Sequence, residues 1–394
     1  MKKLLLATAA TALFAGAATA EEIKLGILIG FTGPIESLTP DMAAAAELAM
    51  KEVNDSGKLL DGSTLVAVRA DSTCGDSAAG TAAAERLVTS DGVKGIIGGD
   101  CSGVTGAVLQ NVARPNGMVM ISPSATSPAL STAEDDDLFF RTAPSDAREG
   151  QVMADILTEK GVKSIALTYT NNDYGKGLAE AIATSFTAVG GTVTINVAHD
   201  DGKADYSAEV AALASAGGDL LVVAGYLDQG GKGIIQASLD SGAFTTFGLP
   251  GGMYGESLPT AIGAALDGSY GQIAGSDSTG AATLIEMGKA AGFDGANAYT
   301  PESYDAAALF ALAMQAAKSS DPAMYKAKVM EVANAPGEKI YPGELAKGLE
   351  LIAAGTDIDY EGATAVELIG PGESAGRYRQ FEVKGGKNET VGFR

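Results

Sequence analysis

Two stretches, GIIGGDCSGVTGAVLQNVA (residues 95–113) and MVMISPSATSPAL (residues 118–130), decide the fold class of this chain. Each begins as a short apolar strand and then changes to Gly, Ser, Thr and Pro where the next element should start. Near-continuous apolar strands are typical of a parallel sheet covered by helices on both faces. The same alternation of strand and helix starts at IKLGILIGF (residues 23–31), which predicts a βαβ array.

A second array follows the first. After FFRTAPSDAREG (residues 139–150) the alternation restarts and continues to TTFGLPG (residues 245–251). Two arrays in tandem predict an α/β fold with two doubly wound, Rossmann-like lobes, and no short repeat period indicates a solenoid. The last third is less regular: helices are predicted near residues 301–320 and 343–355, and the tail from residue 364 is predicted to form a β-meander.

The first 20 residues, MKKLLLATAATALFAGAATA, predict a secretory signal peptide. Two lysines precede a short apolar run, and Ala18-Thr19-Ala20 forms a small-residue cleavage site. No Cys follows that site, which disfavours a lipid anchor, and no later segment approaches the roughly 20 apolar residues of a spanning helix. We therefore expect a soluble product outside the cytoplasm.

The chain is strongly acidic. Its formal net charge is −22, with 27 basic and 49 acidic residues, and loss of the two signal-peptide lysines takes it to −24. Nucleic acids and anionic membranes need a basic surface, so neither is an expected partner. The simplest consequence of the acidity is solubility.

Two cysteines, Cys74 and Cys101, are the only thiols. In an oxidising compartment an isolated pair most often forms one disulfide. A zinc site is disfavoured because zinc usually takes four ligands and the single histidine, His199, is far away in sequence. No metal or cofactor is expected.

The hydroxyl residues at the strand ends have two possible roles. In a parallel α/β sheet, ligands bind beyond the carboxyl ends of the strands, where helix N-termini present free N–H groups. Ser102, Ser124 and Thr126 occupy such ends and could hold a carboxylate. Alternatively, these side chains only cap the helices that follow. Periodicity alone leaves both interpretations open.

Nine motifs in the same order make the chain resemble the periplasmic leucine/isoleucine/valine-binding protein family, the type I solute-binding proteins of ABC importers. The resemblance covers most of the sequence after residue 20. It rests on IKLGILIGFTGP, ADSTCGD, GGDCSGVT, MISPSATSPALS, FFRTAPSD, YTNNDYGKGLAEA, VVAGYLDQGG, ESYDAAAL and YEGA.

The resemblance implies a periplasmic protein without catalytic activity that hands its ligand to an ABC permease complex in the inner membrane. It implies two lobes joined by three hinge crossovers, which close on the ligand. We place the first lobe at residues 21–142 and 275–350, and the second at residues 143–274 and 351–394. It also implies that Cys74 and Cys101 are bridged.

Site residues follow from the same resemblance. Ser102, Ser124 and Thr126 match the positions that hold the α-carboxylate of an amino acid, and the Ser124 carbonyl oxygen is available to its ammonium. Four more residues match the side-chain pocket: Leu38 and Tyr299 by position, Tyr226 as an aromatic wall from the second lobe, and Tyr174 beside it. For Tyr174 and Tyr299, an ordinary core or rim position remains open.

One position departs from the family pattern. Relatives that bind aliphatic α-amino acids commonly have a glutamate after Gly-Pro in the second lobe, and FGLPGGMYG (residues 247–255) has Gly251 there. A buried ammonium without a carboxylate is costly. Either the natural ligand is not an α-amino acid, or another acid takes over, with four candidates: Asp228, Glu256, Glu302 and Asp305.

Single features of the sequence suggest three other functions. GESAG (residues 372–376) matches the G-x-S-x-G motif of hydrolases, but it precedes a predicted strand and His199 belongs to the other array. A nucleotide enzyme is disfavoured because neither G-x-G-x-x-G nor a P-loop motif is present. A periplasmic sensor of a non-amino carboxylate, amide or urea-type ligand would keep the fold and remains the alternative.

Overall fold

The computed structural model describes residues 20–394. The predicted signal peptide lies outside the described residues, apart from Ala20. The described part contains two seven-stranded sheets and a short two-stranded ladder. The strands are β1 (Glu22–Ile29), β2 (Thr64–Asp71), β3 (Ile96–Gly98), β4 (Met120–Ser122), β5 (Phe139–Pro144), β6 (Ser164–Thr170), β7 (Thr192–His199), β8 (Leu220–Ala224), β9 (Phe247–Leu249), β10 (Tyr270–Ala274), β11 (Glu338–Ile340), β12 (Ile358–Tyr360), β13 (Leu368–Ile369), β14 (Glu373–Ser374), β15 (Tyr378–Lys384) and β16 (Lys387–Phe393).

Helices cover both sheets. They are α1 (Thr39–Ser56), α2 (Ser77–Arg86), α3 (Ser102–Val108), α4 (Arg114–Asn116), α5 (Asp146–Glu159), α6 (Asp173–Ala188), α7 (Ser207–Ala216), α8 (Gly230–Ser241), α9 (Ser257–Ile262), α10 (Thr279–Ala291), α11 (Thr300–Ala317), α12 (Pro322–Val332) and α13 (Leu345–Ala353). A π-helical turn, Leu109–Ala113, joins α3 to α4, so this helical segment is continuous. Among residues 20–394, no helix has both the length and the apolar composition that crossing a bilayer requires.

The predicted fold class is confirmed, because both sheets have the same doubly wound order. The first sheet runs β13-β14-β5-β4-β3-β1-β2 and the second runs β16-β15-β10-β9-β8-β6-β7. In each sheet the five consecutive parallel strands follow the order 2-1-3-4-5. The order reverses between β1 and β3 and again between β6 and β8, which are the places where such sheets bind ligands.

The chain passes between the sheets three times. It leaves the first sheet after β5, returns after β10, and crosses again between β14 and β15. We call the first sheet with its helices the first lobe, and the second sheet with its helices the second lobe.

The tail differs from the predicted single meander. β13 and β14 join the first sheet, where β14 pairs with β5, whereas β15 and β16 pair as a hairpin and extend the second sheet beyond β10. The predicted range 351–394 of the second lobe therefore includes two strands that belong to the first sheet. The tail sequence shows strands and glycine turns but carries no local signal of which sheet each strand joins.

Apolar burial and local capping explain the individual elements. All five residues of β8 are buried, as expected for a strand with helices on both faces. α1 and α11 are rich in alanine and pack against each other in the first lobe, since small side chains allow close approach. Asp76 caps α2 and Asn172 caps α6 by accepting hydrogen bonds from main-chain N–H groups.

Candidate ligand-binding site

The two hydroxyl-rich stretches lie side by side at the carboxyl edge of the first sheet. They directly follow β3 and β4, which are neighbouring strands. The Ser124 hydroxyl donates a hydrogen bond to the carbonyl oxygen of Asp100 at 3.0 Å, and the Ser102 hydroxyl accepts one from the Ser127 amide at 3.1 Å. The two stretches therefore form a single edge, which we call the hydroxyl edge.

A small cavity separates the hydroxyl edge from the second lobe. The volume open to the centre of a water-sized sphere is about 20 Å³. This is room for about one water molecule. A solute of amino-acid size fits only after the lobes or the lining side chains move apart. The lining residues come from both lobes: Ile35, Leu38, Asp100, Cys101, Ser102, Ser124, Tyr174, Tyr226, Gly252 and Tyr299.

Topology explains why these residues meet. Leu38 and Ser102 follow β1 and β3, on either side of the point where the strand order of the first sheet reverses. Tyr174 and Tyr226 follow β6 and β8, on either side of the corresponding point in the second sheet. The cavity thus lies where the ligand-binding crevices of two doubly wound sheets face each other.

Six of the eight residues predicted to bind the ligand line the cavity. These are Leu38, Ser102, Ser124, Tyr174, Tyr226 and Tyr299. Thr126 and Gly251 are buried but are not part of the lining. Sequence reasoning did not select Ile35, Asp100, Cys101 and Gly252 as ligand-binding residues. Cys101 and Gly252 are direct neighbours of residues that it did select, and Asp100 is two residues from Ser102.

The aromatic wall belongs mainly to the second lobe. The rings of Tyr174 and Tyr226 stack with centroids 5.1 Å apart and an angle of 19° between their planes. The Tyr174 hydroxyl accepts a hydrogen bond from the Gly252 amide at 2.9 Å, which fixes the ring against the loop after β9. Burial raises the pKa of both phenols well above the usual range, so they stay neutral at physiological pH.

The predicted disulfide is confirmed. Cys74 and Cys101 are bonded, with their Cα atoms 5.1 Å apart. Asp100, next to Cys101, accepts hydrogen bonds from the Gly30 amide at 2.7 Å and from the Ser72 hydroxyl at 2.6 Å, and burial raises its pKa. The disulfide and these bonds together fix the loop that carries Ser102.

Gly251 contacts Glu149, one of two neighbouring buried acids that the sequence did not indicate. Its amide donates a hydrogen bond to Glu149 Oε1 at 2.7 Å, and the Gln272 side-chain amide donates to the same oxygen at 3.2 Å. Burial raises the pKa of Glu149 to about 7. Asp146 lies one helical turn earlier on α5, and its pKa is raised by burial and by the charge of Glu149. We call Asp146 and Glu149 the acid pair.

The four acids considered as substitutes for a residue-251 carboxylate are placed elsewhere. Asp305 is buried and accepts four hydrogen bonds, from Tyr360, Ala363 and Thr364. Glu256 is exposed. None of the four lines the cavity.

Asp228 connects the two lobes at the rim of the cleft. Its carboxylate accepts hydrogen bonds from the Ser37 amide at 3.0 Å and from the Ser257 hydroxyl at 2.6 Å. Its own amide donates to the Pro34 carbonyl oxygen at 3.2 Å.

Glu302 is buried at the start of α11, where burial raises its pKa to about 8. Glu302 is therefore largely protonated at neutral pH.

Ser374, the serine of the hydrolase-like motif, lies inside β14, which pairs with β13 and β5. This is not the strand-to-helix elbow that the hydrolase motif requires. His199 lies at the end of β7 in the second sheet, and burial lowers its pKa to about 4. The structure therefore does not combine the two residues in one site.

The model of the periplasmic binding protein family matches residues 22–340 of this sequence. The chain belongs to the periplasmic binding protein family. A relative within it, Leu/Ile/Val-binding protein homolog 1 of Brucella melitensis, is 32% identical over 338 residues, which are 84% of this chain and 86% of the relative. Homolog 3 of the same organism is 34% identical over 226 residues, 57% of this chain and 60% of that protein.

Solved structures of this binding-protein type have the same fold. A leucine-binding protein from Thermotoga maritima superimposes with a TM-score of 0.78 at 20% identity, covering 94% of this chain and 98% of that one. A solute-binding protein from R. palustris in complex with 4-hydroxybenzoate superimposes with a TM-score of 0.75 at 18% identity, covering 95% and 97%. At these identities the likeness concerns the fold alone.

Proposed function

We propose that this protein is the periplasmic substrate-binding component of an ABC importer. It captures a small carboxylate-bearing solute, an amino acid of the branched-chain class, between its two lobes and presents it to an inner-membrane permease complex. It catalyses no reaction and needs no cofactor. The predicted signal peptide directs it to the periplasm.

The observation that carries this proposal is the meeting of the hydroxyl edge with the tyrosine wall across one cavity. Ser102 and Ser124 supply hydroxyl groups from the first lobe, at the start of a helical segment that also presents free main-chain N–H groups. Tyr174 and Tyr226 supply an apolar surface from the second lobe. One end of the cavity thus suits a carboxylate and the other an apolar side chain.

Ligand capture requires a change in the relative position of the lobes. Asp228 holds the closed arrangement through its bonds to Ser37 in the first lobe. A ligand that contacts both lobes binds this closed arrangement better and shifts the population towards it. The permease is then expected to recognise the closed form.

A second candidate ligand class follows from position 251. Gly251 offers no side chain for an ammonium group, which favours a non-amino carboxylate, an amide or a urea-type ligand. In this case the protein would act as a periplasmic sensor of that ligand instead of delivering it to a permease. The solved relatives illustrate both classes, because one is named for leucine and another holds 4-hydroxybenzoate.

A thermal-shift screen tests the proposal. The protein is refolded to remove any carried-over ligand and is melted with amino acids, their keto and hydroxy acids, aromatic acids and small amides. A ligand that binds only the native state raises the melting temperature. A rise with at least one carboxylate supports the proposal, and the absence of any rise across the screen refutes it.

A further inference from the structure

The space beside Gly251 is already occupied by another carboxylate. A Cβ atom at position 251 would lie 2.8 Å from the Tyr299 hydroxyl and 3.4 Å from each carboxylate oxygen of Glu149. A side chain at position 251 would therefore displace the Tyr299 hydroxyl and lie in van der Waals contact with Glu149. The family position for this acid is filled from a different element, because Glu149 reaches the same place from the first turn of α5.

Glu149 is held in a fixed orientation beside Asp146, whose side chain is within hydrogen-bonding reach of it. Its Oε1 atom accepts the hydrogen bonds from Gly251 and Gln272. The side chain is only 2% exposed. Tyr299, which lines the cavity, brings its hydroxyl to the same point. The carboxylate therefore lies behind Tyr299, next to the cavity wall, and is not itself part of the lining.

The surroundings of Glu149 contain more acceptors than donors. Both carboxylate oxygens of Asp146 and the side-chain oxygen of Gln272 are buried and accept no hydrogen bond from the described residues. The Thr126 hydroxyl is also buried without a partner. The oxygens of an ionised carboxylate and of an amide only accept, so the chemical complement of Glu149 and Gln272 is a group that carries several N–H donors, such as an ammonium.

The neighbouring arginine directs its terminal N–H donors elsewhere, whereas its Nε–H is buried without a partner among the described residues. Arg141 is the cation whose charge acts on Asp146. One of its terminal nitrogens donates to the carbonyl oxygens of Ala125 and Ser127, each at 3.0 Å, and the other donates to Ser131 and Glu373. Its terminal N–H groups are thus engaged away from the acid pair.

We propose that Glu149, together with Asp146, pairs with the ammonium group of the bound solute, which makes the ligand an α-amino acid instead of its deaminated analogue. This inference rests on the proposed function and narrows its ligand class. Glu149 takes the place of the missing residue-251 carboxylate, and Tyr299 lies between the acid pair and the apolar part of the ligand.

The test compares amino acids with acids that lack only the ammonium. Calorimetry measures the affinity of the refolded protein for L-leucine, L-isoleucine and L-valine and for their three keto acids. The protein is expected to bind at least one of these amino acids at least about tenfold more tightly than its keto acid. This comparison needs no variant, so it does not depend on whether a variant folds.

Two variants test whether Glu149 causes the preference for amino acids over keto acids. Glu149→Gln is expected to weaken amino-acid binding at least about tenfold while changing keto-acid binding less than about threefold. Glu302→Gln is the matched control, because Glu302 is also buried but is already largely protonated at neutral pH. It is expected to leave both affinities unchanged.

The outcomes separate this inference from the proposed function. Equal binding of amino and keto acids, binding of non-amino carboxylates alone, or an unchanged preference in Glu149→Gln overturns the role of Glu149 and leaves solute capture standing. Loss of the preference in Glu302→Gln but not in Glu149→Gln assigns the ammonium to Glu302 instead. Failure to bind any carboxylate or amino acid overturns both proposals.

Discussion

The hydroxyl edge and the acid pair both bring polar atoms to the junction between the lobes, but they are built differently. The hydroxyl edge comes from two stretches about twenty residues apart that follow neighbouring strands. The acid pair depends on groups from α5, from the turn after β9 and from β10, and the Glu149–Gly251 hydrogen bond spans 102 residues.

This difference shows what each region requires from the fold. The hydroxyl edge is fixed by local elements, a disulfide and short-range hydrogen bonds, so its geometry should persist in any arrangement of the lobes. The acid pair places two carboxyl groups in one buried site, which raises their pKa values and makes their ionisation unfavourable without a bound cation. The hydroxyl edge is therefore stable without a ligand, whereas the acid pair is stabilised when a cationic group binds.

The largest expected effect concerns the disulfide that supports the hydroxyl edge. Replacing Cys74 and Cys101 together with alanine removes a link across 27 residues, and the free energy of unfolding is expected to fall by about 3.5 kcal/mol because the unfolded chain gains freedom. Urea unfolding followed by circular dichroism measures this change. Glu180→Gln, at an exposed position of α6, keeps the link and serves as the comparison. A loss below about 1 kcal/mol would show that the hydroxyl edge does not depend on the disulfide.

A slightly smaller effect concerns the acid pair. The pKa of Glu149 is raised from 4.5 to about 7 in the folded protein. Between these pH values the native protein binds more protons than the unfolded chain, so stability falls as the pH rises through this window. Glu149→Gln removes that loss, and the ligand-free variant is expected to be more stable than the wild type at pH 8 by about 3 kcal/mol.

Urea unfolding at pH 5 and pH 8 tests this prediction without any ligand. Glu180→Gln, at an exposed position of α6, is the control and should show no change in the pH dependence. A variant that is more stable but binds amino acids less tightly is the signature of a strained binding residue. Equal pH dependence in wild type and Glu149→Gln would contradict the strain.

An intermediate effect concerns ligand contact at the hydroxyl edge. Ser102→Ala is expected to weaken binding of the carboxylate ligand by about 2 kcal/mol, because a hydrogen bond to a charged group is lost. Calorimetry measures the affinity. Ser63→Ala is the control: Ser63 is also buried and hydrogen bonded in the first lobe, but it does not line the cavity. Similar affinity losses in both variants would refute a specific contact.

The smallest expected effect concerns the rim contact between the lobes. Asp228→Ala removes the acceptor of the Ser37 amide and the Ser257 hydroxyl, so the open arrangement becomes more populated and ligand affinity falls by about 1 kcal/mol. Small-angle scattering should show a larger radius of gyration without ligand. Asp240→Ala on α8 is the control. Unchanged scattering and affinity would show that Asp228 does not hold the lobes together.

Much of the fold and part of the site could be predicted from the sequence. Short apolar strands followed by helices predicted two doubly wound lobes, and both sheets have that order. Ser102 and Ser124 were predicted to lie together because residues after adjacent parallel strands meet at one edge, and both line the cavity. Thr126 follows the same strand as Ser124, yet it lies behind the cavity lining, because its position depends on packing against α5, where Asp146 donates to its carbonyl oxygen at 2.8 Å.

Local sequence patterns were enough for the fold class and the hydroxyl edge, which depend on periodicity and on the ends of neighbouring strands. The disulfide partners followed from the presence of only two cysteines. The sheet that each tail strand joins and the acid that lies beside Gly251 depend instead on long-range packing. Glu149 reaches Gly251 across 102 residues, and no local pattern encodes that distance. The physical reason is that its carboxylate position is set by the packing of α5 against the second sheet, where hydrogen bonds from a strand and a turn fix it.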